Sequence, residues 1–267
     1  MLKTRVITAL LIAALLIPAI FFLDAQNWAL LTAVVTGIAA WEFARLASFP
    51  KPAQLVFGFA VGGGAAFGAL VLDAEQLQRF GTVGLCLSVA FWLGVVPFWL
   101  RARWEVKAVW KMLLVGLIVL LPTWYALIAV RAHGPVWLFA ALLLVALADI
   151  AAYFFGRAFG KRKLAPNISP GKTWEGAYGA MFSVTVLALV VLWSFEGFSV
   201  TRTALLVVAM PLLTLISIAG DLFESMLKRQ VGMKDSSQLL PGHGGILDRI
   251  DSHTAALPLI ALLLVLG

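Results

Sequence analysis

The chain has 267 residues, 62% of them hydrophobic and only 12% charged, with a mean hydropathy of +1.00. Soluble domains carry about 25% charged residues, so this composition excludes an ordinary water-soluble fold and indicates an integral membrane protein. The net charge of +7 is carried by loops between apolar runs, which reads as contact with anionic lipid at a cytoplasmic face rather than with nucleic acid.

Apolar runs of roughly 20 residues recur along the chain, the length of a helical span rather than of a barrel strand. The first, at 6–23, follows Lys3 and Arg5 and looks like a signal peptide. Its length, and Leu23-Asp24-Ala25 where a small-x-small cleavage site would stand, make it an uncleaved first span. Further helices are expected at about 28–47, 54–72, 80–100, 108–130, 135–156, 176–195, 203–224 and 253–267. The last is short for a span and would tilt or rest partly in the interface. The expectation is therefore an all-α polytopic membrane protein of about nine transmembrane helices. It forms one membrane domain over 1–267, with helices of 1–130 for packing and helices and loops of 135–267 for function. With the N-terminus inside, 17 of the 20 Lys and Arg residues fall on the inner side, leaving only Arg79, Arg131 and Arg202 outside. That asymmetry places the N-terminus and the richest polar segments in the cytoplasm.

Smaller signals follow the same logic. The single cysteine, Cys86, excludes an intrachain disulfide. Three scattered histidines argue against a histidine-based zinc site. Trp28, Trp104, Trp110, Trp137 and Trp193 stand near span ends and read as interfacial anchors. Gly58, Gly62, Gly64 and Gly68 have the spacing of close helix packing, with a dimer seam left open. Glu42, at the end of the second helix, either pairs with Arg45 or faces a polar cavity.

Asp149 lies inside an otherwise apolar helix and shares a face with Tyr153 and Arg157. Arg157 is two turns away, too far for a simple pair, so Asp149 is expected to face a polar cavity. Lys161, Arg162 and Lys163 suit anionic headgroups. Ser169-Pro170-Gly171-Lys172-Thr173-Trp174-Glu175-Gly176 contains a Gly-Lys-Thr, but Pro166 stands where a P-loop needs its first glycine, and no strand is expected before it. The segment reads instead as a helix N-terminus, with Ser169, Lys172, Thr173 and free backbone N–H groups offered to phosphate.

Asp221 and Glu224 are spaced i, i+3 on one helix face, with Lys228 a turn later; acids at a membrane edge are costly and default to function. The turn Pro241-Gly242-His243-Gly244-Gly245 permits close backbone approach to phosphate oxygens. It delivers Asp248 and Asp251, again i, i+3, at a helix start where an acid also suits the dipole. Asp221, Asp248 and Asp251 together suit Mg²⁺, which binds through one or two carboxylates plus substrate phosphates. Lys228, Arg229, Lys234 and Arg249 supply positive charge, and His243 either donates to phosphate or fixes the turn.

Residues 225–251, SMLKRQVGMKDSSQLLPGHGGILDRID, closely resemble the signature of phosphatidate cytidylyltransferases, the CDP-diacylglycerol synthases. The matching positions are Ser225, Lys228, Arg229, Lys234, Asp235, Pro241, His243, Gly244, Gly245, Asp248, Arg249 and Asp251. The segment from Ser169 to Gly176 resembles a second block of that family, and the resemblance covers about 145–255. It implies cytidylyl transfer from CTP to phosphatidate, giving CDP-diacylglycerol and pyrophosphate, with Mg²⁺ as cofactor and the identity of any second metal open. Under it, Asp221 and Asp248 hold metal, and the catalytic set is Asp221, Asp248, Asp251, Lys228 and Arg249. Asp149, Arg157, Ser169, Lys172, Thr173, Arg229, Lys234, His243, Gly244 and Gly245 bind substrate. The implied partners are CTP, phosphatidate and membrane lipid, without nucleic acid and with a homodimer open. The implied location is a bacterial inner membrane, with the site facing the cytoplasm. Two rival readings remain: a CTP-using lipid kinase that moves the γ-phosphoryl group, and a transporter with Asp149 and Asp221 along its path.

Overall fold

The computed structural model describes residues 2–106, 108–195 and 197–266. Their helices are α1 (Leu2–Phe22), α2 (Ala25–Leu46), α3 (Lys51–Val71), α4 (Ala74–Ala90), α5 (Val96–Ala102), α6 (Val109–Ala132), α7 (Pro135–Phe159), α8 (Trp174–Phe195), α9 (Val200–Gln230) and α10 (Leu247–Leu266). A π-helical turn over Phe91–Val95 joins α4 to α5, so the described residues form nine helical rods. Eight are long and apolar enough to cross a membrane, and α1 adds the apolar stretch Val6–Phe22. The all-α polytopic expectation holds.

Local chemistry sets the ends. Asp24 caps α2 by accepting from the Asn27 amide at 2.8 Å, and Asp73 with Gln76 forms a capping box on α4. Pro97 has no N–H to return to the preceding turn, and the π turn ends two residues before it, at Val95. That turn lets Phe91, Trp92 and Trp99 all meet the Phe223 ring edge-on, at centroid distances of 5.7, 5.6 and 5.3 Å. The resulting aromatic knot fixes α9, which carries Asp221 and Lys228 of the polar site.

Two large apolar cores, with a small third cluster of Val145, Leu213 and Ala256, run through the bundle. One gathers Phe43, Phe57, Trp92, Leu120, Phe223 and Leu247, and the other Ile20, Trp28, Leu85, Trp124, Leu138 and Leu257. Outside them, large apolar side chains such as Phe22, Phe59, Phe154 and Phe182 are exposed, as lipid-facing positions of a membrane bundle are. The α2–α3 pair packs closely because Gly58 and Gly62 lie against Gly37 and its neighbours, where a Cβ would collide with backbone. Gly68 faces the Trp124 ring, while Gly64 has open space around its Cα. The expected close packing is thus an intrachain seam at Gly58 and Gly62.

Four expectations need correction. Trp28 is not an interfacial anchor: it is 2% exposed, donates its indole N–H to the Leu127 carbonyl, and lies under the Arg131 guanidinium. Helix α9 runs six residues past 224, giving a rod about 46 Å long at 1.5 Å per residue, longer than the hydrocarbon core. The last helix begins at Leu247, so Asp248 and Asp251 lie inside it and its length suffices for a span. Residues 163–173 form a two-stranded antiparallel hairpin, β1 (Lys163–Ala165) and β2 (Ser169–Thr173), not simply a helix entry.

Candidate active site

The polar residues meet at one end of α7, α9 and α10. The hairpin closes this end from the side. Its strands pair Lys163 with Thr173 and Ala165 with Ser169. Thr173 then leads directly into α8 and its hydroxyl accepts from the Gly176 amide at 3.2 Å, one of the donors left free at a helix start. The Glu175 carboxylate accepts from the Lys161 and Arg162 amides at 3.0 and 3.1 Å, tying the hairpin's first limb to α8. Gly156 and Gly176 allow α7 and α8 to approach around Thr173. Thr173 is therefore buried in structure as well as adjacent to the site, and the phosphate-donor role expected for the free α8 N-terminus is partly taken by Thr173 itself.

This arrangement encloses a cavity of about 560 Å³, within the range of small-molecule sites. Its wall includes Asp149, Tyr153 and Arg157 from α7, Ser169, Lys172 and Thr173 from the hairpin, Asp221 and Lys228 from α9, and Asp248, Arg249 and Asp251 from α10. Asp235 of the loop joins them. All five expected catalytic residues thus line one space, with Asp149, Arg157, Ser169, Lys172 and Thr173 of the expected binding set. Arg229, Lys234, His243, Gly244 and Gly245 are not on that wall. Arg229 and Lys234 are exposed, with Arg229 donating to the Met233 carbonyl at 3.4 Å. His243, Gly244 and Gly245 belong to the turn behind the wall.

The turn is built around Asp248. Gly242 and Gly244 have φ of 77° and 85°, the left-handed region that glycine tolerates, and Leu240 bridges to Gly244. Asp248 Oδ2 accepts from the Gly245 amide at 2.7 Å, the Ser236 amide at 2.8 Å and the Ser236 hydroxyl at 2.9 Å. Its other oxygen, Oδ1, receives Lys228 Nζ at 2.7 Å. A side chain at Gly244 would collide with this carboxylate. Asp248 therefore does what an acid at a helix start does, and it also carries an ion pair that capping alone does not require.

Across the cavity, Lys172 Nζ sits 2.5 Å from Asp221 Oδ2, while Asp221 Oδ1 accepts from the Ser225 hydroxyl at 3.1 Å. Asp149 lies near the Ser252 hydroxyl at 3.5 Å, and Arg157 donates to the Tyr153 hydroxyl at 3.3 Å, so the two do not pair with each other. Asp251 Oδ1 accepts from the Ser252 amide at 2.7 Å. Glu224 is not on the cavity wall but lies behind Lys228. It is 5% exposed, lies 3.3 Å from Lys228 Nζ, and has no well-oriented hydrogen bond on either oxygen.

Among the described residues no group of three or more His, Cys, Asp or Glu side chains is arranged to cage a metal ion. The donor set nevertheless suits Mg²⁺ held jointly with a substrate. Asp221 and Asp248 each commit one oxygen to structural hydrogen bonds and turn the other to a lysine ammonium, that is, to a position where positive charge is already favoured. The cavity wall carries five carboxylates against four cationic side chains. A polyanionic substrate would meet no net positive charge there, which is the condition a divalent cation relieves.

Sequence reasoning missed the role of Glu42. It comes from α2, in the half of the chain assigned to packing, and it neither pairs with Arg45 nor faces the cavity. Arg45 instead stacks over Trp41 at 5.2 Å. Glu42 is fully buried behind the signature loop and accepts hydrogen bonds from it. A lone acid within an apolar helix was the available signal.

Comparison with known proteins agrees with this geometry. The profile of the cytidylyltransferase family matches residues 3–266. The phosphatidate cytidylyltransferase of Pseudomonas aeruginosa is 41% identical over 99% of this chain and 97% of its own length. That of Haemophilus influenzae is 36% identical over 97% and 96%. The Staphylococcus aureus (strain COL) phosphatidate cytidylyltransferase is 46% identical over 51% of each chain. With a match spanning nearly every residue and the matched acids and bases gathered around one cavity, the chain belongs to the cytidylyltransferase family.

Proposed function

We propose that this enzyme transfers the cytidylyl group of CTP to phosphatidate, forming CDP-diacylglycerol and releasing pyrophosphate. One observation carries the reading: five carboxylates and four cationic side chains, six of these nine groups from the two family-like segments, line a single cavity at the end of a bundle whose outer surface is apolar. A water-soluble polyanion and a lipid phosphate can meet there without either leaving its own phase.

In this reading an oxygen of the lipid phosphate attacks the α-phosphorus of CTP. The new phosphorus–oxygen bond forms in line as the bond from the α-phosphorus to the bridging oxygen breaks, and pyrophosphate carries away that electron pair. No enzyme nucleophile is required, so catalysis rests on positioning and electrostatics. Lys172, Arg157 and Arg249 bind phosphate oxygens from three different elements, which fixes their orientation. Arg229 and Lys234, exposed outside the cavity, draw in the anionic substrate. Lys228 holds Asp248 in place, and the turn of His243, Gly244 and Gly245 gives Asp248 its fixed direction. Asp149 and Asp251 line the wall beside Asp221 and hold polar groups in the cavity. Asp221 and Asp248 would hold Mg²⁺, which neutralises the triphosphate and stabilises the leaving pyrophosphate. In this reading the site faces the cytoplasm of a bacterial inner membrane, and the excess of Lys and Arg on that side supports the orientation.

The test is acceptor and product. Purified enzyme with Mg²⁺ and CTP should consume phosphatidate and release one pyrophosphate per lipid converted. Formation of CDP and a phosphorylated lipid, with no pyrophosphate, would identify a lipid kinase instead.

A further inference from the structure

The loop that carries Ser236, the glycine turn and the start of α10 is held from behind by one side chain on α2. Glu42 is 0% exposed. Its Oε1 accepts from the Ser237 hydroxyl at 2.6 Å and the Ile246 amide at 3.1 Å. Its Oε2 accepts from the Leu247 amide at 2.6 Å and lies 3.1 Å from the Ser236 hydroxyl. The partners flank the loop on both sides, so one carboxylate closes residues 236 to 247 into a ring about 200 residues distant in sequence. Gly245 is tightly confined within this ring: a Cβ there would strike Glu42 and the Ser236 hydroxyl.

We infer that Glu42 is a positioning residue for the transfer reaction, acting on Asp248 through Ser236 and the α10 N-terminus. Ser236 is the link, because its hydroxyl lies between Glu42 Oε2 and Asp248 Oδ2, at 3.1 and 2.9 Å. Its amide donates to the same Asp248 oxygen at 2.8 Å. Leu247, which donates to Glu42, directly precedes Asp248 in α10. A shift at Glu42 therefore reaches Asp248 along two short paths. The carboxylate is chemically specific. Both of its oxygens face a backbone N–H, so either orientation of a glutamine amide would set an NH₂ group against a donor. Glu42→Gln keeps shape and removes the match.

The inference rests on the cytidylyl-transfer reading for its kinetic part only. The experiment uses full-length protein in lipid nanodiscs and compares wild type, E42Q and the milder S237A, which removes one donor. Amide hydrogen exchange is read by mass spectrometry, and kcat and KM are measured for CTP and phosphatidate. For E42Q, exchange across 236–247 should rise at least about tenfold, the cost of losing one charge-assisted hydrogen bond, while α6, α7 and α8 stay within about twofold. Its kcat should fall at least about 30-fold with KM for phosphatidate changed less than about threefold, the signature of misplaced reacting groups rather than lost binding. S237A should show the same pattern at a few-fold amplitude. E42Q with wild-type exchange in the loop overturns the clamp. Raised exchange throughout the bundle, with wild-type kcat per folded molecule, overturns the positioning role and leaves Glu42 as a structural residue. Absence of any turnover in the wild type would count against the reaction assigned, and the exchange result would still decide the clamp.

Discussion

Replacing Lys228 by methionine should destabilise the protein more than it would if the lysine were a free phosphate ligand. Its ammonium lies 2.7 Å from Asp248 Oδ1 and 3.3 Å from Glu224 Oε1, and the three side chains are 11%, 4% and 6% exposed. At an effective dielectric of about 20 each attraction amounts to about 5–6 kcal/mol before desolvation is charged against it. Removing one member of such a buried group leaves uncompensated charge and costs about 3–5 kcal/mol net. For a chain of this size that is a fall of roughly 10 °C in the thermal midpoint. Methionine preserves most of the side-chain volume, so the loss is electrostatic rather than a cavity effect. Adding Glu224→Gln to Lys228→Met removes one of the two stranded charges and should recover a measurable part of the midpoint, while Glu224→Gln alone should cost little. The assay is thermal unfolding in detergent, followed by size-exclusion chromatography of the soluble fraction. A midpoint for Lys228→Met within about 2 °C of wild type, unchanged by the second substitution, would refute the account of Lys228 as a shared buried counter-ion.

Asp221→Asn should lower turnover at least about 100-fold, about 2.7 kcal/mol of transition-state stabilisation, in protein that inserts and elutes normally. Its ion pair with Lys172 is only partly buried, so the stability cost should stay near 1 kcal/mol; wild-type turnover would remove Asp221 from the metal site. Chelation with EDTA should abolish activity and Mg²⁺ should restore it; full activity in excess chelator would contradict the metal assignment. Arg131→Ala, at the other end of the bundle, should lower stability by about 1–3 kcal/mol and leave activity per folded molecule unchanged. Arg131 donates to the Ile20 carbonyl at 2.8 Å and to the Leu23 carbonyl, satisfying the C-terminus of α1, and it stacks over Trp28 at 5.2 Å. Thermal unfolding paired with specific activity checks this.

Much of the bundle was legible because a span needs its own backbone hydrogen bonds and its own length of apolar sequence, both local properties. The same holds for the signature: Asp248, Arg249 and Asp251 lie within four residues, and a short turn has to deliver them together. What escaped depends on contacts between distant residues. Glu42 and Ser237 are 195 positions apart, and the spacing of Glu42 with Arg45 pointed to a local pair instead. Trp28 stands at a span end, yet Arg131 and the Leu127 carbonyl draw it inward. The hairpin of 163–173 has no apolar alternation to announce it. It is fixed by Glu175 of α8, which accepts from the Lys161 and Arg162 amides, and by Thr173 at the end of β2, which accepts from the Gly176 amide, and only the fold brings those groups together. Helix ends were misjudged where polar residues continue a helix past the hydrocarbon, as in α9 from Asp221 to Gln230.

The most direct test of the central claim follows the phosphorus. Purified enzyme in detergent would be given phosphatidate, Mg²⁺ and CTP labelled at either the α- or the γ-phosphorus, and the lipid phase would be counted. Label from the α position alone is the predicted result, because the lipid phosphate attacks that phosphorus and the other two leave as pyrophosphate. Label from the γ position alone would mean that the lipid receives a phosphoryl group, and would contradict cytidylyl transfer.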